Sequence, residues 1–239
     1  MQGTIQNRES FLLNVAKRLG REKVNSVCKT PEYKYNPQNS VLQGLTQDQL
    51  VEVLKEQCKN IHTTVIMANR QDLPTILSDT VKSLGGGTIS VPDDKRFAEM
   101  GLDTLMEQEW PNQGIEIQVW DPAKGKENIV YVEKANIGIV ISDITLAESG
   151  TVTILNDKGK GRNINFLPLN SIMIVPKSTI VPRITQAAKI LREKVKNGEK
   201  VPSCVNFISG PSNSADIELN LVVGVHGPVR ATYIVVDDI

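Results

Sequence analysis

Hydrophobic and polar positions alternate between two periods along most of the chain. Phe11, Leu12, Val15 and Leu19 recur at helical spacing, Arg8, Lys17, Arg18 and Arg21 fall mostly between them, and Gly20 supplies a stop. This predicts an amphipathic helix. The polar stretch over 30–43, with Pro31, Tyr33, Tyr35 and Pro37, reads as an extended linker, because proline and the residue before it disfavour helix. Residues 1–45 are therefore expected to form a helical arm and linker, and residues 46–239 the main domain. The arm has the pattern to pack on its own core, to dock on a partner subunit or to lie on a membrane surface.

Thr46 and Gln49 have the spacing of a capping box, and Leu50, Val53 and Leu54 continue a helix behind it. A strand over 63–68 follows, then a helix over 73–84 closed by Gly85-Gly86-Gly87, and a short apolar run over 89–91. The pattern next predicts a helix over 97–108, an alternating strand over 115–120 and a helix over 128–135. Residues 137–141 are apolar and β-branched with no polar face, as a central parallel strand requires. Such helix–strand alternation points to an α/β sheet with right-handed crossovers. In the second half, 151–155 alternates threonine with apolar residues, and the Gly/Lys/Asp turn at 156–161 is expected to return 164–167 as a hairpin partner. Strands over 172–175, 205–208, 219–225 and 232–236 and a helix over 184–195 complete a layered α/β fold. Its sheet is expected to be mixed, with antiparallel pieces toward the carboxyl end.

Composition narrows the function. With 40% hydrophobic and 23% charged residues, the chain is ordinary globular material. Lys+Arg and Asp+Glu are both 27, so nucleic-acid binding driven by counterion release is not expected. Three cysteines, Cys28, Cys58 and Cys204, with no C-x-x-C pair, and two histidines, His62 and His226, cannot supply a four-thiolate cluster or a set of imidazole ligands. No metal site is expected. The first twenty residues lack a secretory apolar core, and no run approaches the ~20 apolar residues of a membrane span, so the reading is a cytoplasmic protein.

Two polar clusters directly follow apolar strands, where ligands bind in open α/β sheets. In the first, Ser142 to Thr151, Glu148 is a candidate nucleophile or base, with Ser149 and Thr151 as hydroxyl donors; the alternative is a turn capped by Asp143 and Thr145. In the second, Ser209-Gly210-Pro211-Ser212-Asn213-Ser214-Ala215-Asp216-Ile217-Glu218, successive small residues could form an anion nest for a carboxylate or phosphate. Asp216 and Glu218 argue partly against a bare phosphate, and the alternative is a hydrogen-bonded turn. His226, in Val225-His226-Gly227-Pro228, is the imidazole acid–base candidate near these loops. The run Lys158-Gly159-Lys160-Gly161-Arg162 could hold an anion but lacks P-loop spacing; a solvated hairpin tip is the alternative. Gly85-Gly86-Gly87 lacks the order of a dinucleotide-binding loop.

Thr145-Leu146-Ala147-Glu148-Ser149-Gly150-Thr151, the Ser209 to Glu218 cluster and Val225-His226-Gly227-Pro228, in that order, resemble the signature of the LUD-domain (lactate utilization) family. The opening Gly3-Thr4-Ile5-Gln6-Asn7-Arg8 and Ala16-Lys17-Arg18-Leu19-Gly20-Arg21 carry the likeness into the arm. The resemblance implies a fold similar to the sugar-phosphate isomerase and CoA-transferase group, with residues 46–239 as a LUD-type domain. It also implies a part in oxidising L-lactate to pyruvate together with two iron–sulfur partner subunits, the clusters residing in the partners and no cofactor in this chain. Thr145, Ser149, Gly150, Thr151, Ser209, Gly210, Ser212, Asn213, Ser214, Asp216 and Glu218 are then substrate-binding candidates for a small carboxylate, and Glu148 and His226 catalytic ones. Two other functions remain open: an assembly or regulatory subunit without chemistry of its own, and acyl transfer, since Glu148-Ser149-Gly150 has the Glu-x-Gly form of CoA-transferases.

Overall fold

The computed structural model describes residues 5–22, 32–217 and 219–239, with the backbone alone at 216 and 217. Cys28 and Glu218 lie outside the described residues. The chain forms two compact units, Met1–Pro37 and Gln38–Ile239.

In the first unit α1 (Arg8–Arg18) carries Glu9 in its first turn and Lys17 and Arg18 in its last, each complementing the helix dipole. Gly20, at φ +69°, ends it: its N–H bonds the Lys17 carbonyl while that of Arg21 reaches back to Ala16.

In the second unit α2 (Gln47–Asn60) starts on a reciprocal capping box. Gln49 N–H donates to Thr46 Oγ1 at 3.3 Å, and Thr46 N–H donates to Gln49 Oε1 at 2.9 Å. The elements that follow are β1 (Thr63–Ala68), α3 (Leu73–Ser83), β2 (Thr88–Val91), α4 (Arg96–Glu99), α5 (Trp110–Asn112), β3 (Glu116–Val119), α6 (Lys126–Lys134) and β4 (Ile137–Ile141). After them come β5 (Ile144–Leu146), β6 (Thr151–Asn156), β7 (Asn170–Pro176), β8 (Ile180–Val181), α7 (Ile184–Lys196), β9 (Cys204–Ser209), β10 (Asn213–Ile217), β11 (Asn220–Val223) and β12 (Arg230–Val236).

Six strands in the order β1-β12-β7-β4-β2-β3 make a sheet in which every pairing is parallel. The unbroken apolar runs of β4 and β7 are buried on both faces, which is why they carry no polar side. One face is covered by a core containing Leu73, Leu77 and Val81 of α3 with Phe97, Leu105 and Trp110. The other packs Leu50, Leu54 and Cys58 of α2, Val132 of α6, and Val152 and Ile154 of a smaller sheet against Val140, Met173 and Tyr233. That smaller sheet runs β8-β5-β6-β9, with β5-β6 and β6-β9 antiparallel, and α7 packs on it through Ala187, Ile190 and Leu191. Among the described residues no helix is long and apolar enough to cross a membrane.

Four expectations need correction. The antiparallel pieces are not part of the main sheet but form separate sheets, and β12 lies inside the main sheet, parallel to both β1 and β7. The helix over 97–108 is broken: Gly101 takes φ +76° behind α4, and a π-helical turn, Leu105–Glu109, then keeps both Leu105 and Trp110 inward. Residues 164–167 are no hairpin strand; Arg162–Asn165 is a 3₁₀ turn, and the partners of β6 are β5 and β9. The segment instead crosses the sheet face over Gly138, where a Cβ would lie 2.5 Å from the Ile164 carbonyl oxygen. Finally, residues 213–217 are a strand paired with β11 rather than a loop.

Candidate functional site

The first motif turns tightly after β5, and two glycines let it do so. Gly150 and Gly210 have φ of +63° and +71°, and a Cβ on either would run into Ile61 at the end of α2. Between them stands Tyr233, fully buried in β12. Its hydroxyl lies 2.9 Å from the Gly150 carbonyl oxygen, 3.3 Å from that of Ile208, and accepts the Gly210 N–H at 3.1 Å. Burial pushes the Tyr233 phenol up, so it stays a neutral donor at neutral pH. A hydroxyl ladder adds a second seam: Ser149 Oγ to Thr151 Oγ1 at 2.7 Å, and Thr151 Oγ1 to Ser209 Oγ at 2.7 Å. The structure thus brings the two motifs together at Ser149, Gly150, Thr151, Ser209 and Gly210.

Thr145 lies apart from that seam; it is fully buried and shares a 2.8 Å hydrogen bond with Ser142. Glu148 is exposed and pairs with Arg183 Nε at 2.5 Å, tying the turn to the start of α7. Ser209 and Gly210 also enter the wall of a pocket of about 350 Å³, whose other polar members include Ser212, His226, Arg162 and Asn165. Glu148 is not in that wall, so the two acid–base candidates occupy different surroundings. Phe166, Pro211 and Pro228 supply apolar surface, and the Arg162 guanidinium lies 5.4 Å from the centre of the Phe166 ring. The pocket sits where residues 165–166 and 226–228 lead toward β7 and β12, beside their amino ends. Asn213 and Ser214 belong to the β10–β11 hairpin and do not line the pocket, and Asp216 is described by its backbone alone.

The carboxyl-end crevice is a different place. β2 and β4 are neighbours whose chains continue to opposite sides of the sheet, the topology that opens a ligand crevice. Here side chains fill it. Asp94, 4% exposed, binds Arg96 at 2.6 Å and Lys160 at 2.7 Å, and Arg96 also reaches Asp143 at 3.1 Å and the carbonyl oxygens of Ile141 and Ser142. Burial pushes the Asp94 carboxyl up, but hydrogen bonds and charge from Arg96 and Lys160 outweigh it and hold it at about 2. The Lys158–Arg162 run is therefore divided: Lys160 is paired inward, and Arg162 is exposed at the pocket. Gly161 packs against the Trp120 ring, and Trp120 Nε1 donates to the Lys158 carbonyl at 3.1 Å, so this run is a folded clasp rather than a free tip.

Residues 51–236 match the model of the LUD domain. The chain belongs to the LUD-domain family. It is 53% identical over 236 residues to lactate utilization protein C of Geobacillus sp. (strain WCH70), covering 99% of this chain and 98% of that protein. It is 51% identical over 237 residues to lactate utilization protein C of Bacillus subtilis (strain 168), covering 99% of each. Among solved structures, a DUF162 family protein from Deinococcus radiodurans has the same fold, with a TM-score of 0.55 at 16% identity, over 81% of this chain and 99% of that one.

Within this LUD domain the sequence resemblance found the seam and half of the pocket. It missed Asn165, Phe166 and Asn206, which line the pocket from the segment read as a returning strand and from β9, and it missed Tyr233, an aromatic in an apolar strand. Burial pushes the Cys58 thiol up to about 12, leaving it protonated, and no group of three or more His, Cys, Asp or Glu among the described residues is placed to hold a metal.

Proposed function

We propose that this chain is the non-redox subunit of an L-lactate-oxidising assembly, acting with two iron–sulfur partner subunits, and that its 350 Å³ pocket holds the substrate carboxylate. Full-length likeness, at 53% and 51% identity, to proteins called lactate utilization protein C carries this reading. The pocket chemistry supports it. A carboxylate is complementary to the Arg162 guanidinium and to the hydroxyls of Ser209 and Ser212, and Phe166 and Pro211 can enclose a short apolar tail.

Turning lactate into pyruvate breaks the O–H and C–H bonds at C2, forms a C=O bond and releases two protons and two electrons. An imidazole nitrogen of His226, the histidine of the pocket wall, would accept the hydroxyl proton, the second proton would pass to solvent, and the partners' iron–sulfur clusters would supply the acceptor for the two electrons. Glu148, held by Arg183 outside the pocket, supports the turn that carries Ser149 and Thr151.

The test is L-lactate oxidation with an artificial electron acceptor, under anaerobic conditions, by the chain alone, by the two partners alone and by all three. Turnover is expected only in the full mixture. His226→Gln should lower kcat by about 10²-fold or more, and Glu148→Gln by no more than a few-fold. Turnover by the isolated chain overturns the non-redox role. A full rate with His226→Gln in an intact complex overturns the chemistry and leaves an assembly subunit.

A further inference from the structure

Exposed apolar side chains gather around the pocket mouth. Phe166, His226 and Gly227 line both the 350 Å³ pocket and a second one of about 430 Å³, so the two adjoin across the His226 loop. Leu169 and Val225, 55% and 38% exposed, line the second pocket, and Phe207, 42% exposed, lines the first. The β10–β11 hairpin is rooted in the same wall: Gly224 N–H donates to the Ser212 carbonyl oxygen at 2.7 Å, and Ser212 N–H donates to that of Pro228 at 2.8 Å. It is a two-stranded sheet of its own, an arrangement of marginal stability in water unless something packs on it. Its tip is not built as a free turn would be. Ile217 pairs with Asn220, which leaves two residues for the turn, and Leu219 there takes φ +60° with 95% of its surface exposed. Glycine or asparagine adopts that backbone at least cost, and a bulky residue does so rarely. Leu221, beside the tip, is 57% exposed. Single exposed apolar side chains are ordinary, but a group of them around a polar pocket marks a contact surface.

We propose that this surface, from Leu169 and Val225 out to the hairpin tip, is where the electron-accepting iron–sulfur subunit docks; the assignment rests on the subunit reading given above. On that reading two electrons leave C2 of the substrate beside His226, and the subunit that receives them has to come close to that carbon. Approach from behind the pocket is blocked, because Asn165, 4% exposed, separates it from the tight space filled by the Asp94–Lys160 ion pair. The open side is the one bordered by Phe207, Val225 and Leu169. Covering it also buries Leu219 and Leu221 and gives the hairpin a layer to pack on. Charged groups are few here, with Arg162 in the first pocket and Glu133 and Lys134 in the second. The fit is therefore to a protein face with an apolar centre, and the association should depend only weakly on salt. A second copy of this chain seated on the same surface would cover the pocket mouth and keep the acceptor out.

The experiment is calorimetric titration of the full chain with each of the two iron–sulfur partner subunits, prepared anaerobically, together with hydrogen–deuterium exchange of the unaltered chain. One partner should bind and slow exchange of the amides over 219–225. Leu169→Lys and Leu221→Lys should each weaken that binding by at least about thirtyfold, because a charge then stands where an apolar group is to be buried. Val119→Lys, the same change at a 47% exposed residue of β3, should alter it by no more than about twofold. L-Lactate affinity should be the same in all three variants as in the unaltered chain. Undiminished partner binding by both leucine variants, or no protection of the hairpin amides in the complex, overturns the docking surface while leaving the subunit role standing. Binding of neither partner by the unaltered chain overturns the subunit role itself. A chain that is dimeric on its own and becomes monomeric with Leu221→Lys assigns the surface to a second copy and overturns the proposal. The exchange measurement uses the unaltered chain, so it decides the matter even where a leucine variant fails to fold.

Discussion

Asp94→Asn isolates the charge cluster that closes the carboxyl end of the sheet. The substitution keeps the side-chain shape but removes the charge that binds Arg96 and Lys160. In the folded protein the Asp94 carboxyl lies at about 2 instead of its ordinary 3.8. At about 1.4 kcal/mol per tenfold change in the protonation equilibrium, that difference makes the ionised form worth about 2.5 kcal/mol of folding stability at pH 7. Because the folded value is depressed, the contribution is fully present above the unfolded value and is lost as pH falls toward the folded one. Linkage puts about half of it at pH 3. Arg96 retains Asp143 after the change, so the loss should stay near this figure rather than reach the larger cost of an isolated buried charge. Urea denaturation of both proteins at pH 7, 5, 4 and 3 measures it. A difference below about 0.5 kcal/mol at pH 7, or one that does not shrink on acidification, would refute the assignment of the cluster as a stabilising clasp.

Three further outcomes follow from named contacts. Gly210→Ala should destabilise more than Gly150→Ala: both residues have positive φ, but the new methyl at 210 meets the Ile61 carbonyl oxygen at 2.5 Å, whereas at 150 it meets the movable Cδ1 of Ile61 at 2.6 Å. Thermal melting should fall by several degrees for each, at about 2–4 °C per kcal/mol for a chain of this size, and the reverse ranking would count against the packing described. Tyr233→Phe leaves the Gly210 N–H and Gly150 carbonyl without their shared hydroxyl and should cost about 1–3 kcal/mol in urea denaturation. Because the pocket, at about 350 Å³, is in the range that accepts drug-sized ligands, 2-hydroxybutyrate should bind within a few-fold of lactate; a loss beyond about 100-fold on titration would mean that the pocket closes around the methyl group.

The regular elements were legible where local chemistry and tertiary burial agree. The capping box at Thr46 and Gln49 announces α2, and the β-branched run of β4 announces a strand buried on both faces. Gly101 also stood in the sequence, but a run of well-spaced apolar residues outweighed it; the π-helical turn that reconciles Leu105 with Trp110 leaves no local signal. Residues 164–167 misled for a related reason. Ile164 is buried as a strand residue would be, yet it is buried by crossing over Gly138, a contact that depends on the sheet having formed. That error hid Asn165 and Phe166 from the candidate site. The ionic clasp was equally hidden, since Asp94 and Lys160 meet only when β2 and the segment after β6 are in place.

The seam and the pocket divide the motif residues by what they are free to do. Gly150, Gly210, Thr151 and Ser209 are committed to the turn-to-turn contacts around Tyr233, so each substitution there perturbs the wall that the pocket depends on. Arg162, Ser212 and His226 carry no side-chain hydrogen bond to other described residues, and the Arg162 guanidinium lies over the Phe166 ring. Their functional groups are available to a ligand at little cost in internal bonding. Loss of turnover in a glycine or Thr151 variant therefore carries no information about chemistry until its stability has been measured. The same loss in Ser212→Ala or His226→Gln, with the urea midpoint unchanged, locates the reaction in the pocket, and unchanged turnover in both would move it out.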